Sequence, residues 1–452
     1  MKRILIANRG EIASRIIRTC NKMGIETVAV YSEADATMPF VKQATVAHLI
    51  GPAPVNQSYL NKEAIIKIAK QEQVDAIHPG YGFLSENAEF VREIEKAGIR
   101  FIGPSADTID KMGDKIASRE TMKQANVPVV PGTEVGLSTA EEAVAFANAI
   151  GYPVMLKASA GGGGIGMVKC ENEQTLAQQF TGIKTRAKNY FGNDAVFVEK
   201  FIDPARHIEV QIFGDAHGSV YHLYERNCSV QRRNQKVIEE APSPALSEKT
   251  KQELYAAAVK AAEAVQYKNA GTVEFIMDEQ ENFYFLEMNT RLQVEHPITE
   301  LITGQDLVEW QLRTVMGQSL PITSQEDLES HGHALEFRLY AEDSDRFMPS
   351  PGKLEKLVFP EGEGIRIDSG YEEGTNVTPY YDPMIAKIII SGESREQALE
   401  RAKVALQQLD VQGVKSNLAF FQSFLNYAPF EEGVYATNVI DLYRKQKMEE
   451  SQ

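Results

Sequence analysis

The sequence predicts a mixed α/β and α+β fold in two or three domains. Three observations carry this. The chain is 452 residues long, more than one ordinary core supports. Its N-terminal part alternates short apolar runs with segments of helical period, the pattern of a parallel sheet covered by helices. Its middle holds strand-like runs that carry acidic residues, followed by further β segments and one long amphipathic helix.

Residues 2–8 (KRILIAN) read as an apolar strand and Arg9-Gly10 as a turn. From Glu11 to Met23, Ile12, Ile16, Cys20 and Met23 recur at helical spacing, and Gly24 stands where a helix ends. Residues 26–31 (ETVAVY) give a second strand; a helix over 61–71 and the strands Val74–His78 and Ile99–Ile102 follow. This βαβα order predicts a Rossmann-like parallel sheet with helices on both faces. Its first turn, NRGEIA, lacks the G-x-G-x-x-G spacing, so no dinucleotide site is expected.

Thr108–Asn126 reads as one helix, followed by the extended VPVVPG. A small module comes next: a helix over Thr139–Ile150, a strand over Tyr152–Ala158, the glycine run Gly161–Gly164 and a strand over Gly166–Cys170. Residues 195–202 and 207–213 are further strands. After Arg232 comes a larger mixed unit, with a helix over 248–266, the strand Gly271–Met277, the segment Phe283–Pro297 and a helix beginning near Gly304. A third region from His333 holds several β segments and an amphipathic helix near 394–409; the polar end LYRKQKMEESQ reads as a frayed tail.

A hydrophobic content of 43% and a charged content of 24% are ordinary for a soluble globular enzyme. The net charge of −16 argues against a nucleic-acid-binding surface. Cys20, Cys170 and Cys228 lie far apart without metal spacing, which fits a reducing compartment and three packed small hydrophobes. No apolar run is long enough for a membrane span, and MKRILIANRG runs directly into a strand without a signal peptide. A cytoplasmic protein is expected.

The segment FYFLEMNTRLQVEHP, Phe283–Pro297, is the richest in chemistry. Glu287, Asn289, Arg291, Gln293 and Glu295 alternate with apolar residues and would share one face of an extended strand. A solvated mixed-charge face is the plain alternative. Glu274 argues against it, because it stands inside an apolar run, where acids are rare unless paired or bound to metal. Carboxylates and a carboxamide are hard oxygen ligands suited to magnesium held with phosphate.

The run AGGGGIGM lies between two β segments and lacks the Gly-Lys-Ser/Thr of a Walker A loop. It is either a surface hairpin tip or a cradle that lays backbone N–H groups on phosphate. Lys115 and Lys157 suit a polyphosphate as point charges, although each alone would read as a solvated lysine. Glu199–Ile202 closes a strand that can offer its backbone to an adenine edge. His207 faces the side of Glu209 and by itself reads as structural or exposed. Arg232, Arg233 and Lys236 form either a solvated basic face or a small-anion site. Lys236, Arg291 and Arg338 converging on a small planar anion would be chemically sensible.

Taken together, ANRGEIASRI, IHPGYGFLSEN, MGDK, LKASAGGGG, EKF, RHIEVQ, EMNTRLQVEHP and PYYDPMIAK resemble the biotin carboxylase family of the ATP-grasp superfamily, in family order and to about residue 445. The resemblance implies a Rossmann-like N-terminal domain over 1–113, an ATP-grasp unit over 114–330 with a lid at about 131–203, a β-rich C-terminal domain over 331–446 and a tail over 447–452. It implies ATP- and bicarbonate-dependent carboxylation of biotin through carboxyphosphate. Lys115, Lys157, Glu199, Lys200, Phe201, Ile202, His207, Asn234 and Ile276 match ATP-binding positions, with Gly163 and Gly164 in the lid loop. Glu274, Glu287 and Asn289 match ligands for magnesium or manganese, two ions in all. Lys236, Arg291, Gln293 and Val294 match the bicarbonate site, Glu295 the general base, Arg338 the group facing the biotin ureido oxygen, and Tyr81 and Asp382 the biotin neighbourhood. Lys236 and Arg291 thereby join Glu295 and Arg338 in the catalytic set.

Three departures stand out: Asn234 where the family usually has His, Ile165 where it often has Arg, and Ala160 in place of Gly. The Lys-Met pair Lys447-Met448 lies in the polar end, and carrier and carboxyltransferase are expected as separate chains. The resemblance points to the first half-reaction of acetyl-CoA carboxylase, leading to malonyl-CoA and fatty-acid synthesis, in a homodimer. Another ATP-grasp carboxylate–amine ligase and a catalytically weakened ATP-binding subunit are the alternatives.

Overall fold

The computed structural model describes residues 1–159 and 166–450. Gly163, Gly164, Ala160 and Ile165 lie outside the described residues.

Five strands form an all-parallel sheet: β1 (Arg3–Ile6), β2 (Glu26–Ser32), β3 (Val46–Gly51), β4 (Ala76–His78) and β5 (Arg100–Phe101), in the order β3-β2-β1-β4-β5. Ile4, Leu5 and Ile6 of β1 have no exposed surface, as a central parallel strand covered on both faces requires. Helix α1 (Gly10–Lys22) buries Ile12, Ile16 and Cys20 against it, and Gly24 beyond its end takes φ +68°, open to glycine at no steric cost.

A small antiparallel sheet follows, ordered β7-β6-β8, from β6 (Val154–Ala158), β7 (Met167–Cys170) and β8 (Val196–Lys200). Helices Ala140–Ile150 and Glu173–Phe191 pack on it, around Leu156, Leu176, Phe180 and Val198. The main antiparallel sheet has eight strands. In order they are β13 (Phe283–Asn289), β12 (Asn269–Met277), β9 (Arg206–Gly214), β10 (Val220–Arg232), β11 (Gln235–Ala241), β14 (His333–Tyr340), then Met384–Gly392 and Ile365–Ser369. One continuous sheet thus joins the carboxylate strands to the strand bearing Arg338. The expected helix near 394–409 is present as Arg395–Gln408. Cys20, Cys170 and Cys228 are free and buried, as expected.

The structure corrects four expectations. Thr108–Asn126 is two helices, Ala106–Gly113 and Lys115–Gln124, because the Asp114 carboxylate accepts from the N–H groups of Ile116 and Ala117 and starts a new helix. The strand expected over Phe283–Pro297 stops at Asn289, and residues 290–295 form a connection into the helix His296–Thr303. Gly304, in the left-handed conformation, ends that helix; the next one, Leu307–Val315, is capped by Asp306. The polar end is not frayed up to residue 450. Helix Val439–Glu450 is held by buried Val439, Ile440 and Tyr443.

Candidate active site

Register explains how the acidic residues meet. On the antiparallel strands β10, β9, β12 and β13, Arg226 pairs with Glu209, Glu209 with Glu274, and Glu274 with Glu287. Directly opposed residues of antiparallel strands point to one face, so one cation and three carboxylates form a row across the sheet. Arg226 has no exposed surface and donates to Glu209 at 2.5 Å, Gln211 at 2.7 Å and Gln293 at 2.9 Å. It is the internal counter-ion for one end of the row. Replacing Arg226 by Met removes one of the two cations that hold the buried Glu209 and is expected to cost roughly 3–5 kcal/mol, read as a lowered midpoint in urea unfolding.

Lys236, carried by β11, sits at the centre. Its Nζ donates to Glu209 at 2.6 Å, Glu274 at 2.8 Å and Glu295 at 2.7 Å. Burial penalises this charge, but the three carboxylates overcome the penalty and hold its pKa well above the ordinary lysine range. Glu295 accepts from Lys236 with one oxygen and from Arg338 Nη2, at 3.0 Å, with the other. Burial alone would push the Glu295 pKa up; Lys236, Arg338 and Arg226 overcome that and hold it well below the usual carboxylate range. It is therefore ionised at neutral pH.

Arg291 donates to Glu86 at 2.9 Å and to the Asn289 side chain at 2.6 Å. Gln293 donates to Glu274 at 2.7 Å. Arg291, Gln293 and Glu295 meet as the alternation suggested, but on a connecting segment and not on a strand face. Of the expected basic cluster, Lys236 lines the cavity described below, and Arg232 and Arg233 do not. Arg232 pairs with Glu342, and Arg233 is exposed, in a turn where it and Asn234 both have positive φ.

A cavity of about 670 Å³ collects these groups. Its lining includes Lys115, Lys157, Glu199, Lys200, Phe201, Ile202, His207, Asn234 and Ile276, and also Lys236, Glu274, Glu287, Asn289, Arg291, Gln293, Val294, Glu295, Arg338 and Asp382. Tyr81 lies behind this lining, hydrogen-bonded to Glu11. Lys157 pairs with Glu199, and His207 Nε2 lies 3.1 Å from Glu274. Burial pulls the Lys115 pKa down, with nearby Glu287 opposing.

Glu287 tests whether a cation fits. No hydrogen bond or ion pair to its carboxylate is found among the described residues, and burial followed by the charge of Glu274 pushes its pKa up. Asn289 adds a carboxamide oxygen, which here accepts from Arg291 at 2.6 Å. Two opposed carboxylates, one of them unsatisfied, beside a carboxamide form a donor set of hard oxygens that a divalent cation would complete.

Glu86, Glu209, Arg226 and Glu239 escaped the sequence reading. Glu209 carried the signal that found Glu274, an acid inside an apolar strand. The partners of the other three come from distant strands or loops. Glu239 accepts from Arg338 Nε at 2.6 Å, and burial, opposed by Arg338, pushes its pKa up to about 7. Its folded-state pKa lies above its unfolded value, so its stabilising contribution is full below the unfolded pKa and fades as pH rises through about 7. The stability of the natural protein relative to Glu239→Gln is therefore expected to fall from pH 6 to pH 8, measured by denaturant melts.

A cavity lined by lysines of a small antiparallel sheet and by carboxylates of a larger one is the arrangement of an ATP-grasp enzyme. Three family models match in succession: biotin carboxylase, N-terminal domain, over 1–109; carbamoyl-phosphate synthase L chain, ATP binding domain, over 114–323; and biotin carboxylase C-terminal domain, over 336–442. A biotin carboxylase from Halalkalibacterium halodurans is 53% identical over 446 residues, covering 99% of this chain and 98% of that one. The chain belongs to the biotin carboxylase family. Among solved structures, a biotin carboxylase complex with β,γ-ATP from Campylobacter jejuni superposes with a TM-score of 0.95 at 46% identity, covering 97% of this chain and 98% of that one. The biotin carboxylase domain dimer of the Hydrogenobacter thermophilus 2-oxoglutarate carboxylase, in complex with MgADP, ADP and bicarbonate, also gives 0.95 at 46% identity, covering 98% of each chain.

Proposed function

We propose that this chain uses ATP and bicarbonate to carboxylate biotin carried on a separate carrier protein. The observation that carries the reading is the position of Glu295, held at once by Lys236 at 2.7 Å and by Arg338 at 3.0 Å. One carboxylate thus spans the small-anion subsite and the cation that would face biotin.

Lys115 and Lys157 act as point charges for the polyphosphate, and the backbone from Glu199 to Ile202 meets the adenine edge beside His207, Asn234 and Ile276. Glu274, Glu287 and Asn289 hold the divalent metal, which when bound offsets negative charge on phosphate oxygens. Lys236, Arg291, Gln293 and the Val294 backbone hold bicarbonate in line with the γ-phosphate. As a bicarbonate oxygen bonds to that phosphorus, ADP leaves and Glu295 takes the bicarbonate proton. The carboxyphosphate splits into CO2 and phosphate. The phosphate removes the N1′ proton of biotin, and the nitrogen attacks CO2. Arg338 stabilises the ureido oxyanion, with Tyr81 and Asp382 beside the ring.

The domain division at 113 and 330 follows the same reading; the separate parallel sheet supports the boundary at 113, while the eight-stranded sheet runs across 330. We assign a homodimer, by analogy with the biotin carboxylase domain dimer of the Hydrogenobacter relative. We assign acetyl-CoA as the final acceptor, through a carboxyltransferase in trans and in support of fatty-acid synthesis. Three free buried thiols favour a reducing, cytoplasmic setting; among the described residues no helix is long and apolar enough to cross a membrane. Affinity purification from the native cell, followed by carboxylation assays on the recovered complex, tests this. A biotinylated carrier and malonyl-CoA formation are expected; carboxylation of 2-oxoglutarate or another acyl-CoA in its place would reject the acceptor.

A further inference from the structure

Two buried charges have no part in the chemistry above. Lys387, on the strand Met384–Gly392, has no exposed surface, and Glu11, at the start of α1, is 4% exposed. Both stand in the motifs ANRGEIASRI and PYYDPMIAK. Lys387 Nζ lies 3.2 Å from Glu11 Oε2 and donates to the Val294 carbonyl at 2.8 Å. The other oxygen of Glu11 accepts from the Tyr81 hydroxyl. An unbroken polar chain thus runs from Tyr81 through Glu11 and Lys387 to the backbone of residue 294.

Its ends are functional on the reading given above, and the inference rests on that reading. Tyr81 belongs to the biotin end. Val294 has no polar side-chain atom, so it meets an anion only through its backbone. Residues 290–294 lie in neither strand nor helix, and no ladder fixes their peptide groups. Lys387 holds the carbonyl of Val294, while the Val294 N–H, on the preceding peptide, has no hydrogen-bond partner among the described residues and is open to an anion beside Gln293 and Glu295. Burying an ammonium costs far more than burying a neutral donor, so stability alone would favour a neutral pair here.

We propose that Glu11 and Lys387 form a strut that sets the position of the Val294 peptide for bicarbonate and ties it to Tyr81. Both are positioning residues. Lys387→Met alone would leave Glu11 buried and unpaired, which endangers folding. The double variant Glu11→Gln/Lys387→Met removes both charges together. It should melt cooperatively, raise KM for bicarbonate about tenfold or more, and leave KM for MgATP unchanged. Tyr81→Phe removes one hydroxyl at the far end and should raise KM for bicarbonate about threefold as well as KM for biotin. A merely structural role would lower Tm without separating the two KM values. A folded double variant with natural KM for bicarbonate overturns the strut. If the double variant does not fold, Tyr81→Phe decides, and an unchanged KM for bicarbonate overturns it. If the natural protein shows no bicarbonate dependence at all, the underlying functional reading falls, and the strut with it.

Discussion

Glu295→Gln is expected to lower bicarbonate-dependent ATP cleavage by about a hundredfold or more, while MgATP binds with unchanged affinity. The substitution keeps shape and hydrogen bonding but removes the proton acceptor. Glu295 is suited to that task because Lys236 and Arg338 keep it ionised despite its burial. The variant also loses one of the three carboxylates that neutralise Lys236, but Glu209 and Glu274 still contact that ammonium at 2.6 and 2.8 Å. The cluster should therefore hold. Equilibrium binding of MgATP and single-turnover phosphate release separate the two effects. Undiminished cleavage in a folded variant would take the base role away from Glu295.

Arg338→Gln should act on the second half of the reaction. Carboxylation of biotin is expected to fall by about a hundredfold to a thousandfold, the cost of losing a group that stabilises a developing oxyanion. Bicarbonate-dependent ATP cleavage should fall much less, because Lys236 still contacts Glu295 at 2.7 Å and sustains its charge. The variant would then spend ATP without carboxylating biotin. Glu239 loses its guanidinium partner as well, so a lower Tm is expected above pH 7, where Glu239 is ionised. Equal losses in both activities would place Arg338 in the bicarbonate step.

The sequence showed the carboxylate strands because an acid inside an apolar run is costly and therefore informative. Glu274 was read in that way and is 4% exposed. It also grouped Arg291, Gln293 and Glu295 with Glu287, although the reason given, one long strand, holds only to Asn289. Pro297 stands in the first turn of the helix His296–Thr303, and the side chains converge through the segment 290–295 that connects it to the strand. The row from Arg226 to Glu287 was not legible, because strand register between distant segments leaves no local trace. Arg232 was ambiguous for the same reason, since its partner Glu342 lies 110 residues away. The break at Asp114 was missed because aspartate is tolerated within a helix as well as at its start. The roles themselves came from family resemblance, and the geometry supplied their partners.

The most direct measurement follows label from bicarbonate into biotin. The purified chain is incubated with MgATP, labelled bicarbonate and free biotin, and the acid-labile carboxybiotin is counted together with released phosphate. The account predicts label in biotin in proportion to phosphate, abolished by Glu295→Gln. Phosphate release stimulated by an amine in place of biotin, with no label in biotin, would contradict it.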